Sequence, residues 1–260
     1  MQTQPTARVG HTVTDGVATV VLGNPAKRNA MTTGMWRALP PLLDGLAADP
    51  GVRALVLTGE GSTFCAGADI ASLREPGGPP GAESPQSLSV RAEEALAAFP
   101  KPTVAVVRGH CVGGGCQLAV ACDLRLAAEG ALFGVTPAKL GIVYPATTTR
   151  RLVSLVGPSA TKYLLFTGEL IGTARALRTG LVDEVLPEEE LDARVAELTG
   201  VLTVRSQLTQ AAAKEFVAGL GGREAHWAER AAEQAREGGD TTEGVTAFLE
   251  RRAPRFTWSV

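Results

Sequence analysis

Hydrophobic and polar positions divide the chain into a strand-rich first part and a helix-rich last part. Residues 8–25, RVGHTVTDGVATVVLGNP, form two β-rich runs separated by Asp15-Gly16, a residue pair that strongly signals a tight hairpin. Helical spacing follows in GMWRALPPLLDGLAADPG, with Trp36, Leu39, Leu43 and Leu46 on one face, and Pro40 and Pro41 predict a bend or restart within it. VRALVLTGEG and TVAVVRG are short, β-branched and almost continuously apolar, the pattern of strands buried on both faces. Each is followed by a glycine-containing loop, STFCAGADI and HCVGGGC respectively.

Between these strands lies residues 74–87, REPGGPPGAESPQS, which cannot build a core and reads as either a surface loop or a lid. A helix is predicted through VRAEEALAAF up to Pro100, and DLRLAAEGALFG predicts a strand pair around Glu129-Gly130. The last hundred or so residues show mainly helical periodicity, interrupted by a strand in LVDEVLP. Strands first and helices later predict an α/β core with a helical C-terminal extension, divided here into residues 1–198 and 199–260 of one functional unit.

Composition narrows the function classes. The chain has 260 residues, a net charge of −2 and a pI near 6.0, which gives no whole-chain case for nucleic-acid binding. No apolar run reaches membrane-spanning length, so a soluble cytoplasmic protein is expected. Cys65, Cys111, Cys116 and Cys122 form no CxxC pair, and His11, His110 and His226 are scattered, so no metal site is expected. Cys111, Cys116 and Cys122 have apolar neighbours and read as small packing residues.

Two loops carry the chemistry. CAGADI and VGGGCQ each leave a buried strand and enter a helix, and their small residues let the backbone approach a ligand closely. Amides at two helix starts can converge on one oxygen, an arrangement suited to an enolate or a tetrahedral oxyanion. Taken singly, each loop is weak evidence, and a GGG run reads first as a tight turn.

The order of NPAKRNAM, FCAGADI, KPTVAVVRGHCVGGGCQLAVACD, FGVTPAKLGI, RRLVSLVG, TGLVDEVLP and EGVTAFLERRAPRF resembles the crotonase superfamily, the enoyl-CoA hydratase/isomerase family, along nearly the whole chain. The resemblance implies a crotonase-like spiral of ββα repeats with a helical C-terminal trimerisation region. It also implies a homotrimer or dimer of trimers acting on acyl-CoA thioesters, with no cofactor beyond the CoA moiety. By position, Ala68 and Gly114 correspond to the backbone donors to the thioester oxygen. Lys27, Arg28 and Ala30 match the segment along the CoA nucleotide and pantetheine, and Ala66, Asp69 and Ile70 match the segment at the adenine end. Phe248 and Arg255 resemble C-terminal positions that close over CoA, across a subunit boundary in some arrangements.

The pattern departs from hydrating members at both of their glutamates. One position holds Gln117 and the other Pro137, and neither residue exchanges a proton. A positioned acid or base contributes about 10²–10⁴-fold, so efficient hydration is not expected. Isomerisation, carbon–carbon cleavage, decarboxylation and a specialised hydration stay open, as does a non-catalytic acyl-CoA-binding protein. Tyr144 occupies a position where one branch of the family places a catalytic aspartate, and reads either as a proton donor or as an aromatic pocket wall. Thr147, Thr148 and Thr149 read as helix caps or as polar contacts to the acyl group, and Glu75, Glu83 and His110 as groups that could approach from the lid or a neighbouring loop.

Overall fold

The computed structural model describes residues 7–70, 83–219 and 222–260. A hairpin of β1 (Arg8–Thr14) and β2 (Val17–Gly23) turns at Asp15-Gly16, both at positive φ, as the sequence predicts. Parallel strands β3 (Ala54–Gly59), β4 (Thr103–Val107), β6 (Leu124–Ala128) and β9 (Glu184–Leu186) extend it into a six-stranded sheet, ordered β1-β2-β3-β4-β6-β9.

The continuous apolar runs are explained by the two faces of this sheet. Ala105 and Val107 of β4 pack into the main core, while Val104 and Val106 enter a second cluster with Val56, Leu126 and Leu191. Side chains alternate along a strand, so a strand covered on both sides has no polar face to show.

Helix α1 (Thr33–Ala48) does not restart at Pro40 and Pro41 but continues through them. Met35, Trp36 and Leu39 before the prolines, and Leu43 and Leu46 after them, are buried in the same core. Burying large apolar side chains at about 1.5–3 kcal/mol each outweighs the roughly 3 kcal/mol cost of an interior proline. Lys101 secures the far end: its Nζ donates to the carbonyls of Ala47 at 2.9 Å and Asp49 at 2.7 Å.

A correction concerns DLRLAAEGALFG, whose two strands do not pair with each other. Strand β7 (Leu132–Gly134) joins β5 (His110–Val112) and β8 (Ile171–Gly172) in a separate three-stranded sheet. The turn at Glu129-Gly130 carries the chain from one sheet to the other, so the strand signal was right and the partner was not.

Helix α2 (Pro85–Ala97) starts earlier than predicted: Ser84 accepts from the Ser87 amide, so the last residues of the 74–87 segment form a capped first turn. Residues 74–82 of that segment, including Glu75, lie outside the described residues. Helix α3 (Gly114–Ala121) leaves β5 and is almost wholly buried. Helix α4 (Ala146–Thr167) contains a kink at Gly157, where φ is 77°, just before Pro158.

The C-terminal part is helical: α5 (Thr173–Thr179), α6 (Glu188–Val204), α7 (Gln207–Val217), α8 (Glu224–Gln234) and α9 (Asp240–Leu249). The division between residues 198 and 199 falls inside α6, which continues through it.

Candidate active site

Three backbone segments are hydrogen-bonded side by side to make the site. The Met31 amide donates to the Gly67 carbonyl at 2.7 Å, and the Asp69 amide donates to the Met31 carbonyl at 2.9 Å. In this parallel bridge the residue between the two bonds, Ala68, has its own N–H directed away from Met31. On the other side, the Cys65 amide donates to His110 at 2.8 Å and the Val112 amide to Cys65 at 3.0 Å. The two glycine-containing loops are thereby locked together.

Gly114 is the first residue of α3, so its amide belongs to the group that has no intrahelical acceptor. A Cβ on Gly114 would lie 2.9 Å from Trp36 Cζ2 and 3.5 Å from the Ala68 nitrogen, which places the two amides as neighbours. A Cβ on Gly115 would meet the Cys65 carbonyl oxygen at 2.4 Å, so this glycine is needed for the loops to approach.

A cavity of about 170 Å³ opens at these amides. Its floor includes Ala66, Gly67, Ala68, Gly113 and Gly114, and its apolar walls include Trp36, Ile70, Pro137, Leu140 and Ile142. Gln86, Ser89, Gln117, Thr136 and Tyr144 supply the side-chain polarity. Among the described residues no aspartate, glutamate, histidine, lysine or arginine lines it.

Gln117, Pro137 and Tyr144 are thus brought together as the sequence suggests. Burial, with Cys116 and Cys111 nearby, pushes the Tyr144 phenol well above its usual value, so the residue is a proton carrier and not a base at ordinary pH. Pro137 opens a short 3₁₀ turn, and its carbonyl is occupied by the Leu140 and Ile142 amides.

Gln117 is buried and its Nε2 faces three acceptors. It lies 2.7 Å from Glu93 Oε2, and 3.4 Å from both the Ser89 carbonyl and Thr148 Oγ1. Glu93, fully buried on α2, also accepts from the Thr148 hydroxyl and pairs with the Arg151 guanidinium. The sequence reading did not single out Glu93 or Arg151. The available signal was spacing: Ser89 and Glu93 share a helical face with buried Leu96, an odd place for a carboxylate.

The threonines do not cap α4, whose N-cap is Pro145 with no side-chain bond. Thr148 instead serves Glu93, Thr149 donates back to the Pro145 carbonyl at 2.9 Å, and Thr147 is exposed. Proline leaves the first turn without a side-chain acceptor, and the helix start is oriented by Glu93 across the interface. Glu83 is exposed and paired with Arg91, and His110 lies in β5; neither borders the cavity.

The residues that the resemblance assigns to the CoA nucleotide and pantetheine segments lie on adjoining backbone. Arg28 and Asn29 both adopt left-handed conformations, and buried Asn29 donates to the carbonyls of Glu60 and Thr63, pinning the turn. The Arg28 carbonyl accepts from the Ala66 amide at 2.9 Å, Ala30 is buried, and exposed Lys27 pairs with Asp69 at 2.7 Å. Ile70 is half exposed at the rim. Phe248 and Arg255 stand apart: they border two separate surface depressions in the C-terminal helices and not this cavity.

Residues 12–258 match the family model for enoyl-CoA hydratase/isomerase. The chain belongs to the enoyl-CoA hydratase/isomerase family, and its fold is the crotonase fold. It is 42% identical over 251 residues to a Thermus thermophilus protein provisionally named enoyl-CoA hydratase, covering 92% of this chain and 97% of that one. A crotonyl-CoA hydratase of Syntrophomonas wolfei is 34% identical over 92% of this chain and 94% of its own length. A crystal structure of an enoyl-CoA hydratase/isomerase family member superposes with a TM-score of 0.89 at 39% identity, covering 98% of this chain and all of that one. Among the described residues no helix is long and apolar enough to cross a membrane.

Proposed function

We propose that this acyl-CoA enzyme cleaves a carbon–carbon bond beside the α-carbon of its thioester, with the Ala68 and Gly114 amides forming an oxyanion hole for the enolate. The observation that carries the reading is a cavity lined by Ala68 and Gly114, with no lining carboxylate, histidine or lysine among the described residues. Hydration and isomerisation both move protons through a positioned base, and each missing base removes about 10²–10⁴-fold. In bond cleavage the electron pair of the broken bond enters the thioester itself. A 2-carboxyacyl group leaves as CO2 with no further proton to remove. A 3-hydroxyacyl group leaves as an aldehyde or ketone, its hydroxyl proton passing to Tyr144 as Tyr144 protonates the α-carbon, and a 3-oxoacyl group leaves as a carboxylic acid after water adds to its ketone. The site then has to stabilise the oxygen and return a proton to the α-carbon. Amide donors suit the first, and the Tyr144 phenol, which lines the cavity and keeps its proton, suits the second.

Substrates of this kind are 3-hydroxyacyl-, 3-oxoacyl- or 2-carboxyacyl-CoA thioesters. Lys27 and Arg28 offer cations to the CoA phosphates, with Ala30, Ala66, Asp69 and Ile70 along the same approach. Phe248 is 83% exposed on α9, and with Arg255 it reaches CoA only from a neighbouring subunit, in keeping with a homotrimer or dimer of trimers in the cytoplasm. The reading calls for no cofactor beyond the CoA moiety. The neutral cavity also favours one rival, a non-catalytic acyl-CoA-binding protein.

Incubating the purified protein with each thioester class and with crotonyl-CoA, followed by mass spectrometry, separates these readings. Cleavage of at least one class with poor crotonyl-CoA hydration is expected. Tight binding without any product favours the rival, and crotonyl-CoA hydration at typical hydratase rates contradicts the proposal.

A further inference from the structure

The Glu93–Thr148–Arg151 cluster lies directly behind Gln117, outside the cavity, and has no place in the chemistry above. Its geometry fixes which end of an amide faces the acyl group. An unconstrained glutamine can present either its carbonyl or its amino end to a ligand. Here Nε2 is surrounded by acceptors only: the Glu93 carboxylate at 2.7 Å, with the Ser89 carbonyl and Thr148 Oγ1 farther off. Thr148 spends its own proton on Glu93, so it offers Gln117 a lone pair. Arg151 pairs with the other Glu93 oxygen and holds the carboxylate in place. Turning the amide over would set its carbonyl oxygen against the Glu93 carboxylate, with no donor to meet it. Oε1 takes part in no hydrogen bond among the described residues, and Gln117 borders the cavity.

We propose that Glu93 is a positioning residue that locks Gln117 with its carbonyl oxygen toward the acyl group, so that the site selects thioesters whose acyl chain carries a hydroxyl. Gln117 stands three residues after Gly114, about 5–6 Å along the same helix face. That separation suits a donor on the second or third carbon beyond the thioester oxygen. The inference rests on the acyl-CoA reading of the site and narrows its three substrate classes to the hydroxyl-bearing one. A 3-oxo group or a carboxylate presents only acceptors to Oε1 and is disfavoured there.

The test compares binding of two probes that differ by one hydroxyl, 3-hydroxybutyryl-CoA and butyryl-CoA, by isothermal titration calorimetry at a temperature and time where turnover is negligible. The wild type is expected to bind the hydroxylated probe about tenfold more tightly, the worth of one well-made hydrogen bond. Gln117→Leu is expected to lose this preference, and Glu93→Gln to reduce it severalfold, each read as the ratio of the two affinities. Thr148→Val, which removes one acceptor beside Nε2 and leaves the ion pair, is a milder second variant and should reduce the preference in the same direction. A scaffold role alone would alter both affinities together and leave their ratio fixed. Equal binding of the two probes by the wild type, or an unchanged ratio in Glu93→Gln and Thr148→Val, overturns the inference while leaving the acyl-CoA site intact. Failure of both probes to bind contradicts the acyl-CoA site itself.

Discussion

Gln117 Nε2 lies 2.7 Å from Glu93 Oε2, so the residue standing where hydrating relatives are expected to carry a glutamate is itself held by a glutamate from another helix. A carboxylate is therefore close to the site, yet it is fully buried behind the amide and occupied by Arg151 and Thr148.

This relationship changes how hydratase activity could be installed. Gln117→Glu with Pro137→Glu puts a carboxylate at each position where the resemblance implies one, but the first substitution sets two carboxylates at hydrogen-bond distance. Like charges so close cannot both ionise freely, and one of them is forced to keep its proton. Adding Glu93→Gln to the pair should relieve that conflict. In a crotonyl-CoA hydration assay the triple variant is expected to exceed the double variant by at least about tenfold, and equal rates would show that Glu93 does not constrain position 117.

Glu93 should also matter for stability. Glu93→Leu leaves the partly buried Arg151 guanidinium with only its longer pair to Glu94, and the Gln117 amide with only its two acceptors at 3.4 Å. A loss of about 2–3 kcal/mol in urea unfolding is expected, below the upper range for a buried pair because Arg151 keeps some solvent access. Glu93→Gln should lose less, since it keeps hydrogen-bonding atoms in place.

The glycine run separates function from packing within neighbouring positions. A Cβ at Gly114 would press on the Trp36 ring and crowd the Ala68 amide, so Gly114→Ala is expected to cut kcat by about 10²-fold or more. Gly115→Ala would drive a methyl into the Cys65 backbone and should instead cost about 1–3 kcal/mol of stability. Steady-state kinetics alongside denaturation of both variants would distinguish the two roles. Similar stability losses with no difference in kcat would contradict the assignment.

Much of this was legible from residues alone. Continuous apolar runs announced a sheet covered on both faces, and the two glycine-containing loops announced backbone segments that lie side by side. The partner of β7 was not legible, because alternation identifies a strand without saying which sheet it joins. Pro40 and Pro41 misled locally, since the packing that carries α1 through them comes from distant segments. Glu93 was missed for the same reason: a carboxylate on a helix normally points to water, and its three partners lie on α3 and α4.

The cysteines set the alkaline limit. Burial raises the thiols of Cys65 and Cys122 from 9.0 to about 12. The unfolded chain ionises them first and binds fewer protons there, so the stability they help to maintain is full below pH 9.0 and is lost as pH rises toward about 12. Urea midpoints should fall across that interval, and Cys122→Ala should flatten part of the decline. At mildly alkaline pH the native protein should resist a thiol reagent that modifies all four cysteines once it is unfolded. Rapid labelling of the native protein would contradict their burial.

The most direct measurement of the central claim is a crystal structure with a bound, non-reacting acyl-CoA thioester analogue. The account predicts the thioester oxygen at about 2.7–3.1 Å from both the Ala68 and Gly114 nitrogens, with Gln117 Oε1 and Tyr144 facing the acyl carbons and no carboxylate within reach of them. A thioester oxygen bound away from those two amides, or an aspartate or glutamate brought against the α- or β-carbon, would contradict it.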